Sequence, residues 1–205
     1  KMGMPDPDQN ARLRSAIQVA KAASFPRENI ERAIKKSTDK AMDSFEEIRY
    51  EGFGPAGTSI IVEALTDNRN RSAADVRSIF QKNGGSFAEN GSVSHQFIRY
   101  GFLKYPSTIS SQDDFFSSAI EAGAEDCLFE DDCFEALCLP ENLSIFYSSL
   151  ETIFSEPESS GFLWKPSSLV EVTGEKVKTL FNLLDELDDN EDVQSVFSNY
   201  DVSEE

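Results

Sequence analysis

At 205 residues the chain has room for one large domain or two to three small ones, and 39% hydrophobic with 11% aromatic residues supplies real cores, which excludes a disordered tail. No apolar run approaches the ~20 residues of a membrane span, no signal peptide is expected from these residues, and the first of them is Lys1 rather than Met. A net charge of −18 argues at first against a polyanionic partner, but residues 1–104 hold 16 of the 19 Lys+Arg and net +3, while residues 105–205 net −21.

Residues 9–23 read as a helix, with Leu13, Ala16, Ile17 and Ala20 on one stripe. Pro26 opens a second helix, about 26–37, that buries Ile30, Ala33 and Ile34 and projects Arg32, Lys35 and Lys36. Residues 1–44 are thus expected to form a helical N-terminal domain with basic outer faces.

Then comes Tyr50-Glu-Gly-Phe-Gly-Pro-Ala-Gly-Thr58, in which Gly52, Gly54 and Gly57 match G-x-G-x-x-G. A dinucleotide loop must follow a strand and open a helix. Here the glycines precede a strand, Thr58 to Leu65, and Pro55 sits among them. They read as a turn feeding that strand, so no cofactor is expected.

Thr66 to Arg71 reads as a polar loop, and Ser72-Ala-Ala-Asp75 as the capping pattern of a helix that runs to about Asn83 and stops at Gly84-Gly85. Val93 to Arg99 is a second strand, with Phe102 to Tyr105 extending the sheet. Near the C-terminus the order repeats: strand Ser168 to Val172, helix Glu175 to Leu187 with Val177, Leu180, Phe181 and Leu184 on one face, and strand Asp192 to Asn199. Two such halves give a β-α-β-β-α-β, ferredoxin-like plan, with 45–106 and 166–205 pairing in space.

Residues 107–165 form a second α+β domain inserted between them. A helix (Asp113 to Ala122), strands 126–129 and 134–139 joined at Glu130-Asp-Asp132, a helix (Glu141 to Phe154) and a last strand (Gly161 to Lys165) compose it. Its acidic load reads as a solvated face or a surface for a basic partner.

Cys127, Cys133 and Cys138 match no tight zinc pair, and His95, the single histidine, lies far away in sequence. They read as small apolar residues in a reducing compartment, with a metal site or disulfide as the alternative. One histidine, and neither G-x-S-x-G nor H-E-x-x-H, leaves the common hydrolase constellations without members. The expectation is a non-enzymatic protein with no catalytic residue, no metal and no small-molecule substrate.

Several stretches together carry a resemblance. They are Gly3-Met-Pro-Asp-Pro-Asp8, Asn10-Ala-Arg-Leu-Arg14, Asn29-Ile-Glu-Arg-Ala-Ile-Lys-Lys36, Ile48-Arg-Tyr-Glu-Gly-Phe-Gly-Pro55, Leu65-Thr-Asp-Asn-Arg-Asn-Arg71 and Glu121-Ala-Gly-Ala-Glu-Asp126. The chain resembles the YebC/PmpR family, relatives of which include the mitochondrial translational activator of cytochrome oxidase. The resemblance covers essentially the whole chain. It implies three domains (helical, split α+β, inserted α+β) and a cytoplasmic role in gene expression, either as a DNA-binding transcriptional regulator or as a translation factor on the ribosome. It also implies a basic segment and first helix upstream of Lys1, so the chain reads as a fragment or a processed product. The inserted segment follows the family pattern least.

Affinity for nucleic acid, whether DNA or rRNA, would rest on Lys and Arg meeting phosphates. The candidates are Arg12, Arg14 and Lys21 on the first helix, Arg32, Lys35 and Lys36 on the second, Arg69 and Arg71 on the polar loop, and Arg77 and Lys82 on the helix after it. For each the alternative is a solvated charge or an ion pair, such as Glu28 with Arg32 or Glu31 with Lys35 at helical spacing. No recognition helix and no base-stacking aromatic signature stands out, so phosphate and shape contacts are expected over base reading.

Overall fold

The computed structural model describes Leu13, Arg14, Ala16, Ile17, Ala20, residues 27–38 and residues 45–202. The five isolated residues are helical, and α1 follows at Arg27–Thr38. After it come β1 (Glu46–Phe53), β2 (Ser59–Thr66), α2 (Arg69–Lys82), β3 (Ser86–Ala88), β4 (Phe97–Pro106), α3 (Gln112–Glu121), β5 (Asp126–Glu130) and β6 (Cys133–Cys138). Then follow α4 (Leu143–Phe154), β7 (Ser159–Pro166), β8 (Val170–Glu171), α5 (Glu175–Asp188), β9 (Val193–Ser198) and β10 (Tyr200–Asp201). The fold is α+β. Two compact units divide it: a split unit of residues 43–99 and 164–205, and a companion unit of 1–42 and 100–163.

The split unit is built on an antiparallel sheet in the order β3-β1-β2-β9. This is a ferredoxin-like set of four strands and two helices, but the strands are not connected as β-α-β-β-α-β. β1 and β2 form a hairpin, α2 carries the chain across to β3 beyond β1, and α5 leads into the edge strand β9. β1 escaped the sequence reading because its charges and glycine mask the period of two. Ile48, Tyr50 and Gly52 alternate with Arg49, Glu51 and Phe53, so Tyr50 meets the helices while Glu51 meets the opposite face.

The run Ser59-Ile-Ile-Val-Glu-Ala-Leu-Thr66 is almost continuously apolar because both its faces are covered. Tyr50, Ile60, Val62 and Ala64 pack with Val76 and Phe80 of α2 and Leu180, Leu183 and Leu187 of α5. Ile61 packs on the other face with Val93 and Phe97. On α5 the buried stripe is thus Leu180, Leu183 and Leu187, while Phe181, expected inside, is 39% exposed and lies edge-on to Tyr200. On α1 the buried stripe is also narrower than expected: Ile30 and Ile34 are half-buried, and Ala33 is exposed.

Three expected strands change place. Val93 is not in a strand; it is buried just before a single 3-10 turn, Ser94–Gln96. β4 begins at Phe97 and belongs to a different sheet, in the order β5-β6-β4-β7. Residues 168–172 contribute only β8, which pairs in parallel with β10 rather than with the main sheet.

In the companion unit, Leu103 and Tyr105 of β4 and Phe134, Ala136 and Cys138 of β6 face Phe115 and Ala119 of α3 and Phe146, Leu150 and Phe154 of α4. Phe115 is the centre, stacked on Phe134 at 4.8 Å and tilted against Phe154 at 5.2 Å. The Glu130-Asp-Asp132 turn is tight, with Asp131 and Asp132 both at positive φ. The three cysteines are free thiols on β5 and β6; burial pushes the Cys138 thiol up to about 11, which leaves it unreactive at neutral pH.

The glycine stretch divides between two tasks. Gly52 lies inside β1, where a Cβ would stand 2.5 Å from Phe80 Cε1 and 2.8 Å from the Ser86 carbonyl. Gly57, at φ +82, closes the turn between β1 and β2. Neither touches the start of a helix that follows a strand, so this is hairpin geometry. A Gly52→Ala variant is expected to lose about 1–3 kcal/mol through overpacking, read as a lower urea midpoint with an unchanged m value.

Glu51 is fully buried, and its Oε2 accepts the backbone N–H of Val93 at 2.8 Å and of Ser94 at 3.1 Å. Arg49 Nε stands 3.2 Å from Oε1. Burial pushes the carboxyl up, but the N–H groups of Val93, Gly91 and Ser94 and the charge of Arg49 outweigh it and hold it below the usual carboxylate range. A folded value below the unfolded one contributes stability that is complete above the unfolded carboxylate value and lost as pH falls through the folded one. Glu51→Gln is therefore expected to cost about 2 kcal/mol at neutral pH. The gap to the wild-type urea midpoint should shrink below about pH 4.

Candidate nucleic-acid interface

The described candidate cations are divided between the two units. Arg12 and Lys21 lie outside the described residues. Arg14 is helical and exposed, and its charge favours ionisation of the Tyr147 phenol on α4, which burial, Glu156 and Glu151 oppose. Arg32 is exposed on α1, the helix that also carries Lys35 and Lys36. Glu31 accepts from Arg27 Nε at 2.8 Å; the side chain of Lys35, its expected partner, lies outside the described residues.

Arg69 and Arg71 are not in a loop. They occupy the first turn of α2, which starts three residues earlier than Ser72 because Asn68 caps it: the Asn68 side chain accepts the Arg71 N–H at 3.1 Å. Ser72 is buried within the helix rather than capping it. The motif Thr66-Asp-Asn-Arg-Asn-Arg71 is mainly a latch. Thr66 Oγ1 accepts the Asn68 N–H and donates to Asp192 Oδ2 at 3.0 Å. Arg71 Nη2 donates to both Asp192 oxygens at 3.1 Å and to Asp67 at 3.0 Å. The Leu65 N–H donates to the Asp192 carbonyl at 2.7 Å. Asp192, just before β9, thereby joins the end of β2, the start of α2 and the edge strand.

Two further candidates are held by partners within the split unit. The Arg77 guanidinium lies over the Phe87 ring at 4.9 Å, and Lys82 Nζ donates to Glu186 of α5 at 2.8 Å. Arg69 differs. It is exposed, its carbonyl accepts from Tyr50 Oη at 3.4 Å, and its side chain has no hydrogen bond or ion pair to another described residue. It also sits at the positive end of the α2 dipole, where an anion is favoured.

One basic arrangement went unnoticed in the sequence. On the sheet face away from the helices, Arg49 and Arg99 place their guanidinium carbons 5.1 and 5.8 Å from the centre of the Trp164 ring. The Trp164 Nε1–H donates to Glu63 at 2.8 Å, which fixes the ring. The alternation Arg49-x-Glu51 was the available signal, but it has meaning only once β1 is known to be a strand. With Glu51 and Glu63 beside them, these arginines are largely compensated.

The latch predicts a separation of effects. Asp192→Ala removes the acceptor for Thr66 and Arg71 and is expected to cost about 1–3 kcal/mol, roughly 2–9 °C in melting temperature. Arg69→Ala should leave the melting temperature unchanged. Calorimetry of the two variants checks both.

A family model for the second and third domains of TACO1/YebC proteins, with the short title Transcrip_reg, matches residues 45–200. A model for the N-terminal domain of the same proteins matches residues 1–40. The solved structure of a conserved hypothetical protein from Aquifex aeolicus is 39% identical, with a TM-score of 0.84, and the match covers 100% of this chain and 85% of that one.

Proposed function

The chain belongs to the TACO1/YebC family, and on that premise we propose that it is a non-enzymatic regulator of gene expression that binds nucleic acid, with duplex DNA as the partner. The observation that carries this reading is the sorting of its cations. Arg71, Arg77 and Lys82 are engaged internally, while Arg32 is exposed on α1 and Arg69 projects from a helix start. Such groups recognise phosphates rather than base edges, so binding is strongly salt-dependent and weakly sequence-selective. No helix among the described residues is long and apolar enough to cross a membrane, and the reading sets the protein in the cytoplasm.

A second reading, a translation factor held on rRNA in the ribosome, is favoured by one observation. Residues 100–163 carry one lysine, no arginine and 13 carboxylates, a net of −12. A duplex repels such a surface along its whole length, whereas a ribosome offers cationic proteins beside its phosphates.

Arg32→Glu with Arg69→Glu is expected to weaken nucleic-acid binding at least tenfold and to flatten its salt dependence, with an unchanged melting temperature. Gel shifts on duplex DNA with scrambled competitor, beside co-sedimentation with ribosomes, measure both partners. Loss of the DNA shift to competitor with ribosome binding retained selects the second reading. Undiminished binding of the double variant to both partners overturns the two together.

A further inference from the structure

The outer face of α4 is unlike that of the other solvent-facing helices. In a chain with 27% charged residues, its twelve residues Leu-Ser-Ile-Phe-Tyr-Ser-Ser-Leu-Glu-Thr-Ile-Phe hold one charge, Glu151. Phe146, Leu150 and Phe154 account for the buried face. Ile145, across the helix from that stripe, and Ile153, on its flank, are 71% and 55% exposed. At 100° per residue, Ile145, Ser148, Ser149, Thr152 and Ile153 span about 140° of the helix surface.

The polar groups on this face make few demands on water. Ser148 Oγ donates to the Ser144 carbonyl at 3.1 Å, Ser149 Oγ to the Ile145 carbonyl at 3.0 Å and Thr152 Oγ1 to the Ser148 carbonyl at 2.9 Å. Each hydroxyl therefore keeps a hydrogen bond inside its own helix when the surface is covered. The usual penalty for burying a hydroxyl, the loss of its partner, is largely removed. Two projecting isoleucines on a charge-depleted face with low desolvation cost have the composition of an interface centre, not of a solvated helix.

The charge around that face identifies what fits it. The net −12 of residues 100–163 includes Glu141 and Glu151 at and on the helix and Glu156 just beyond it. A second copy would bring the same anionic surface against itself. A partner with an apolar stripe flanked by lysine or arginine would match both the isoleucines and the rim.

We propose that the outer face of α4 is a docking site for a cationic amphipathic helix of a partner protein, with Ile145 and Ile153 as its anchors and the flanking carboxylates as its electrostatic rim. Its anchors are not among the cations assigned to nucleic acid, so different variants test the two readings.

The probe is a synthetic amphipathic peptide of leucine and lysine, labelled for fluorescence anisotropy and titrated with the full chain. A leucine and glutamate peptide of the same pattern is its charge opposite. The lysine peptide should bind saturably and less tightly as salt rises, and the glutamate peptide should not bind. Ile145→Ser with Ile153→Ser should weaken the lysine peptide at least tenfold while circular dichroism, melting temperature and nucleic-acid binding stay unchanged. Glu151→Lys, which leaves the isoleucines in place, should weaken it as well. Equal affinity for the isoleucine variant would overturn the proposal, because the peptide would then be held by net charge alone. Sedimentation showing a concentration-dependent dimer that the isoleucine variant abolishes would also overturn it, by making a second copy the occupant.

Discussion

The split unit depends on a carboxylate that has no access to water. Glu51 sits in the centre of the sheet on the face opposite the helices, and its charge is balanced by backbone N–H groups of the segment that passes over it. Buried ionised groups persist only where donors replace their hydration. Here the donors come from residues 91–94, so keeping the charge satisfied requires that segment to lie against the sheet. Val93 is then delivered into the cluster of Ile61 and Phe97, and the second face of β2 is covered. A sheet apolar on both sides is possible only because both sides are closed, one by α2 and α5 and the other by this polar pin.

A similar economy governs the basic residues. A loop of Thr, Asp, Asn and Arg next to a strand looks like a contact surface, and most of it turns out to hold the fold together. The Thr66, Arg71 and Asp192 hydrogen bonds tie residues more than a hundred positions apart in sequence. They are one reason the two halves of the split unit find each other across a long insertion. Arg69 is the part of the motif that the latch does not use. Exposed and internally uncommitted arginines are better phosphate ligands than paired ones, because nothing has to be broken to engage them.

The two units thus differ in the surfaces they offer. One bears scattered cations, several already neutralised from within. In the companion unit residues 100–163 are strongly acidic, interrupted on α4 by an uncharged strip with two isoleucines, while Arg32, Lys35 and Lys36 of α1 belong to that same unit.

Much of the architecture was legible in the residues themselves. The helical stripe of Leu180 and the β-branched run at Ile60-Ile-Val62 encode their elements locally, and so does the Ser111–Phe154 succession of helix, hairpin and helix. The glycines ahead of the Ile60 run announced a turn into β2, and Gly57 closes it. Long-range pairing decided the rest. Glu46 to Phe53 became a strand because β2 and β3 flank it, against its own charges and glycine. Residues 93–96 stay out of the sheet, with the N–H groups of Val93 and Ser94 held by Glu51. Asp192 turned Arg71 from a candidate ligand into a structural brace. Local periodicity can announce a helix or a strand, since its cause lies within a few residues. The neighbour of a strand, or the partner of an arginine, is set by groups far away in sequence, and only the folded chain brings them within hydrogen-bonding distance.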